Sequence, residues 1–469
     1  MKRIFVLASL SLLFLSGCAT MAPKYARPAP PVPGTWPSGE AYGRAEAREG
    51  APSAADLPWG DFFLNGSLRK VISLALSNNR DLRAVALAVE RSRALYGIRR
   101  ADLFPVVDAT GGGSVTRIPE TLTGTGQADT SRQYDVGLAV AGYELDLFGR
   151  VRSLKDRALS EYLATEQARR TVQVGLVSEV AVRWFALAAD RERLGLARET
   201  LAVQEKSYEL TKRRFEGGVS SELDLRQAQT SVDAARVDIA RYTALVAQDR
   251  NALDLLAGAP VPDALLPAEL DAVTAMTELS AGLPSEVLLR RPDILEEEEA
   301  LKGANANIGA ARAAFFPRIT LTTSVGLGSR ELDDLFRGTA RTWSFAPRIS
   351  VPIFDGGANQ ASLKVAEADR EIAVARYEKA VQSAFREVAD ALALRGTLGD
   401  QLSAQQSLVD ASVVTRKLSD ARYEKGVDSY LPVLDAQRTL YAARQNLIAV
   451  RLELLANRVT LYRALGGGG

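Results

Sequence analysis

The 469-residue sequence has a single cysteine, Cys18, and no histidine. One cysteine cannot close a disulfide within the chain. The two absences together remove Cys/His metal sites, Ser-His-Asp triads and histidine acid–base chemistry. Charge of neither sign is in excess: 58 Lys and Arg face 57 Asp and Glu, a net +1, without the basic surplus that nucleic-acid binding needs. Carboxylates remain, but they mostly occupy polar positions of helical repeats, and no spacing pairs two of them in a pocket. The expectation is therefore no metal, no cofactor, no nucleic acid and no enzymatic activity.

The one cysteine is informative for where it stands. Lys2 and Arg3 precede an apolar run, Ile4–Leu15, too short to span a bilayer as a helix, and small residues come next in LSGC (15–18). The pattern resembles a bacterial lipoprotein signal. It implies removal of residues 1–17, acylation (palmitate) of Cys18, and, because Ala19 replaces Asp, delivery to the outer membrane. An ordinary secretory signal that happens to contain cysteine is the alternative. A single acyl chain binds membranes weakly, so stable residence needs more. Residues 18–64 form the next segment. Within it, 22–60 are rich in Pro, Ala and Gly and lack a helical or strand period, as in an extended tail or a disordered linker.

From Asn65 onward the chain is written twice. NNRDL (78–82) matches RRPDI (290–294), ADLFP (101–105) matches AAFFP (313–317), and RRFEGGVSSELDLRQAQ (213–229) matches ARYEKGVDSYLPVLDAQ (421–437). The offsets change only where a short insertion accounts for it, which marks a duplication. The first repeat is 65–258, with strands at about 104–118 and 133–148 and a tip at 217–221. A connector, 259–283, leads to the second repeat, 284–469, with strands at about 316–328 and 342–354 and a tip at 425–429.

Apolar residues recur every seven positions after each tip: Leu225, Val232, Ile239, Val246 and Leu253, then Val433, Leu440, Leu447, Leu454 and Leu461. Before the first tip the same spacing holds from Val180 through Leu187, Leu194, Leu201 and Tyr208 to Phe215. Its second copy carries Arg395 and Arg416 at two of the corresponding positions. Such heptads predict antiparallel helical hairpins packed as coiled coils, with glycine-containing tips to reverse the chain. A helix over 151–215 would be roughly 100 Å long, far more than a globular core requires.

The other period is two. Ile319, Leu321, Val325 and Leu327 alternate with Thr320, Thr322, Ser324 and Gly326; Phe345 and Ile349 with Ser344, Ala346, Arg348 and Ser350; Tyr134, Val136, Leu138 and Val140 with Asp135, Gly137, Ala139 and Ala141. Val107, Ala109 and Val115 give a weaker version. Each segment is about as long as a tilted transmembrane strand, with aromatics such as Phe104, Tyr143, Phe316 and Trp343 near the ends. A soluble amphipathic sheet shows the same alternation. Small uncharged residues between the apolar ones, and no apolar layer to cover them, favour the membrane. Four strands cannot stand alone there, since each unpaired edge group in lipid costs several kcal/mol. Two copies give eight strands and a filled interior; three give twelve and a lumen.

With LSGC, NNRDL, ADLFP, YELDLFGR (143–150), ATEQA (164–168), ANANIGAARAAFFP (304–317), PIFDGG (352–357), YLPVLDAQ (430–437) and LYRALGGG (461–468), the chain resembles the outer membrane factors. These are the TolC-like outer membrane lipoproteins of tripartite multidrug efflux systems, and the resemblance covers essentially residues 1–466. It implies a mainly α fold with membrane β: a homotrimer whose twelve-stranded barrel, four strands per chain, continues into a periplasmic α-helical coiled-coil barrel. It also implies a passive exit duct for small molecules, working with a periplasmic adaptor (membrane fusion) protein and an inner-membrane RND-type transporter. Type I protein secretion and metal-ion efflux are the nearer alternatives. A lipid-anchored coiled-coil tether without a pore is the distant one, and it leaves the alternating segments unexplained. The acidic run Glu296–Glu299 departs from the family pattern; its place after Pro292, at a helix start, suits the macrodipole.

The resemblance places a periplasmic gate near the second tip, with Asp420 as the ring residue and Arg416, Arg422 and Tyr423 as ties to a neighbour. The first-repeat counterpart of Asp420 is Lys212. Adaptor docking is assigned to Gly217, Gly218, Val219, Gly426 and Val427. Both sets have plainer readings: Asp420 as a solvated coiled-coil residue, and the glycines as turn formers alone.

Overall fold

The computed structural model describes residues 20–42, 54–124, 126–270, 276–280 and 288–467. Cys18 and the signal-like segment lie outside the described residues. The helices are α1 (Gly66–Asn78), α2 (Arg80–Ala101), α3 (Arg150–Glu216), α4 (Glu222–Ala257), α5 (Pro292–Ala313), α6 (Ala358–Glu424) and α7 (Leu431–Ala464). Strands β1 (Asp108–Ile118) and β2 (Asp129–Glu144) precede α3; β3 (Arg318–Ser329) and β4 (Arg341–Ser350) precede α6. The order helix, hairpin of strands, hairpin of helices thus occurs twice. Two compact units result. One takes in the described residues up to Pro28, Val89–Thr165 and Glu297–Tyr377; the other takes in the described residues of 29–88, 166–296 and 378–469.

In the first unit the four strands make one antiparallel sheet in the order β1-β2-β3-β4. The registers Gly111↔Val136, Val136↔Leu327 and Val325↔Trp343 carry the apolar alternants onto a single face. That face holds Val115, Val136, Leu138, Val325, Trp343, Phe345 and Ile349, and it is bare: Trp343 is 79% and Val325 60% exposed. The opposite face carries Thr110, Gly112, Gly137, Thr322, Ser324, Gly326, Ser344 and Ala346. The strands differ from expectation at their ends. β2 starts within the anticipated loop and stops at Glu144, and a bulge between Val140 and Tyr143 adds one residue to it. Gly142 there takes φ +69°, which a side chain would resist. β4 ends at Ser350 because Asp355 begins the next helix, accepting from the backbone N–H groups of Gly357 and Asn359, each at 2.9 Å. Asp146 does the same for α3 at Val151 and Arg152.

The proline-rich tail is extended and docked over residues 21–27. Met21 O accepts from Arg312 and Pro23 O from Asn305, and Arg27 forms a two-pronged ion pair with Glu298 at 2.6 and 2.9 Å. Tyr25 also donates to Glu298. This corrects the macrodipole account of the acidic run: Glu298, whose side chain is 4% exposed, is the buried acid that seats the tail. Burial alone would raise its pKa, but Arg27 and Lys302 outweigh burial and lower it.

The second unit holds the main apolar core, including Phe62, Phe63, Val180, Trp184, Phe185, Leu187, Leu253, Val388 and Tyr462. Heptad residues Leu194, Val232, Leu440, Leu447 and Leu461 are buried as the spacing predicts. Phe215, at the heptad position before the first tip, is 38% exposed, whereas its counterpart Tyr423 is buried. Arg395, at an apolar heptad position, donates to Leu279 O. The repeat motifs prove to be joints. Asn79 of NNRDL caps α2 through Leu82 N–H and donates to Leu256 O. Arg291 of RRPDI is buried, pairs with Asp293 and Glu387, and donates to Ala464 O at the end of α7.

Candidate functional site

The described residues offer no constellation of catalytic type. They offer a bare apolar sheet and two exposed tips.

At the first tip the last turn of α3 closes with Gly217 N–H on Arg213 O and Val219 N–H on Arg214 O, while Gly218 takes φ +74°. This left-handed residue lets the carbonyls at the helix end find donors. Ser221 then opens α4 with a capping box: its hydroxyl accepts from Asp224 N–H, and Asp224 accepts from Ser221 N–H. At the second tip Gly426 takes φ +71° and Val427 N–H bonds Arg422 O. No side chain caps α7 at Tyr430; instead Pro432 lies in its first turn and Asp428 is gripped by Arg422 through two hydrogen bonds. Val219 is 71% and Val427 60% exposed, so both tips present a valine to their surroundings.

Of the gate candidates, Asp420 and Arg416 lie one turn apart on α6 and approach to 3.4 Å. Burial raises the Asp420 pKa, with Glu424 adding to it, against the pull of Arg416. Arg422 is engaged with Asp428 of its own tip. Tyr423 is buried with Tyr430, Val433, Leu434 and Ala228, and the Arg214 guanidinium lies 4.6 Å over its ring. Within the chain, then, Arg422 shapes the second tip, and Tyr423 binds that tip to the first hairpin. Arg214, Tyr430 and Asp428 contact these candidates at the second tip, and the sequence reading of the gate did not include them. Asp428 stands at the position of Ser220 in the repeat, and that difference between the copies was the available signal.

A four-stranded sheet with a bare apolar face and two unpaired edges, joined to 67-residue helices, defines a channel-forming membrane protein completed by further copies of itself. The outer membrane efflux protein family matches residues 71–259 and 283–467, and the chain belongs to that family. It is 48% identical over 469 residues to the toluene efflux pump outer membrane protein TtgC of Pseudomonas putida, covering 100% of this chain and 96% of the relative. A crystal structure of a membrane protein from Pseudomonas aeruginosa aligns with TM-score 0.89 at 42% identity, over 96% of this chain and 98% of that one. The open state of the Neisseria gonorrhoeae MtrE outer membrane channel aligns with TM-score 0.85 at 39% identity, over 96% and 98%. The fold is that of the TolC-like channels: each chain gives four strands to a trimeric twelve-stranded outer-membrane barrel and its hairpins to an α-helical barrel. The protein is the outer-membrane exit duct of an efflux system.

Proposed function

We propose that this duct exports small apolar and amphipathic molecules, toluene-like solvents and antibiotics among them, handed to it by a periplasmic adaptor and an RND-type inner-membrane transporter. The observation that carries the duct reading is the sheet: one apolar face, one small polar face, and edges that only other copies can pair. A lumen walled mostly by Thr, Ser, Gly and Ala, with Asp135 and Arg348 among them, has few large side chains to hold a cargo, which suits passage of many. The exposed tips, with Gly217, Gly218, Val219, Gly426 and Val427, are the docking surface for the adaptor, and Asp420 forms the constriction. Acylation of Cys18 adds a lipid anchor to the barrel.

Growth of a deletion strain on a solvent and drug panel, with and without the partner pump, tests the whole. Resistance must fall only when the pump is present. Crosslinkers placed at Ser220 and Asp428 must capture the adaptor; capture from other sites alone rejects the tip assignment. Palmitate labelling must disappear in Cys18→Ala.

A further inference from the structure

Gln204 of α3, Arg416 of α6 and Gln437 of α7 meet around a cavity of about 90 Å³. Gln204 is 5% and Gln437 6% exposed, and the side-chain oxygen of each accepts no hydrogen bond from the protein. Buried acceptors without a donor are costly and rare; two on one cavity wall ask for a shared donor. Arg416, on the same wall, carries five N–H groups in a planar fork that can serve two acceptors at once. Its present hold on Asp420, at 3.4 Å, is longer than a charge-assisted hydrogen bond, and pairs of this spacing on a helix surface contribute little. Arg444 and Glu199 also line the cavity, but Arg444 has no acidic partner one turn away along α7 whose charge its movement would change.

We propose that Arg416 has two seats, one on Asp420 and one in this cavity, where it donates to the Gln204 and Gln437 side-chain oxygens. The seat it occupies sets whether Asp420 presents a neutralised or a bare carboxylate. This rests on the reading of Asp420 as the constriction residue. In a trimer the inner seat leaves three bare carboxylates in a ring and makes the duct cation-selective; the outer seat neutralises them.

Gln204→Met with Gln437→Met keeps side-chain length and removes both acceptors. In planar bilayers this pair of substitutions is expected to lower the cation-to-anion permeability ratio toward that of Asp420→Asn, since each hydrogen bond to a charged group that is lost shifts a two-seat equilibrium at least about tenfold and the pair removes two. A ratio that stays unchanged in the double variant but falls in Asp420→Asn overturns the two seats and keeps the constriction. A ratio that Asp420→Asn leaves unchanged overturns both. A crystal structure of Asp420→Asn gives a second reading independent of conductance. The Arg416 guanidinium within about 3.2 Å of both amide oxygens supports the inner seat; ordered water or Arg444 on those oxygens rejects it.

Discussion

Asp249 on α4 faces Asp190 on α3, both more than nine-tenths buried. Burial first, and then the neighbouring carboxyl within hydrogen-bonding reach, push the Asp249 pKa from 3.8 up to about 6, against the charges of Arg183 and Arg193. Arg193 already serves Asp190 at 2.8 Å. The folded chain therefore holds a proton that the unfolded chain has released, so this pair stabilises the fold at low pH. That contribution is lost as pH rises through roughly 4 to 6. The Tm in detergent of Asp249→Asn, measured from pH 4.5 to 7.5, should lack this decline; a parallel decline in the variant would reject the shared proton. Glycine has a different role on the same scale. Gly137 and Gly326 sit opposite each other in β2 and β3, and a Cβ on either would run into the backbone of the facing strand. Gly326→Val should sharply reduce the yield of trimer on gels of unheated samples, whereas Gly338→Ala, at an open position, should not.

Between elements, the two repeats share a pattern but stop and start their helices by different chemistry. The first tip relies on the Ser221–Asp224 box, the second on Arg422–Asp428 and Pro432. Ser221→Ala should cost about 1 kcal/mol of local helix stability, read as faster amide exchange over the first turn of α4 with the second tip unaffected. Equal loosening of both tips would show that they unfold as one. The periods of seven and two were legible because they are local: Leu440 and Leu447 are buried, and Val325 and Trp343 share a face, as the spacing requires. The bulge at Gly142 was not legible, because one inserted residue shifts a strand without leaving a motif. Nor was the docking of the tail, which depends on Arg27 finding Glu298, 271 residues away. Of the site, the tip glycines could be read from the repeat. The grip of Arg422 on Asp428 could not, since a heptad position does not say what polar neighbours it meets.

For the molecule as a whole the sheet edges decide. β1 and β4 end the order of strands, so in lipid each must pair with another chain. A chain carrying both Thr110→Cys in β1 and Ser344→Cys in β4 should, on oxidation in membranes, give a crosslinked ladder that stops at three. A ladder that runs on would mean an open sheet, and monomers alone would mean that the edges do not meet.

The sequence by itself determined the duplication, the two periodicities, the tips and, through the count of strands, the need for partners. These come from short-range repetition and from the cost of unpaired backbone in lipid, and neither depends on how distant segments pack. Only the tertiary structure decided which polar groups meet: Arg27 with Glu298, Arg291 with Ala464 O, and Asp190 with Asp249. Those pairings are set by helix packing across hundreds of residues, where a shift of one turn would give every side chain a different partner while leaving every heptad intact.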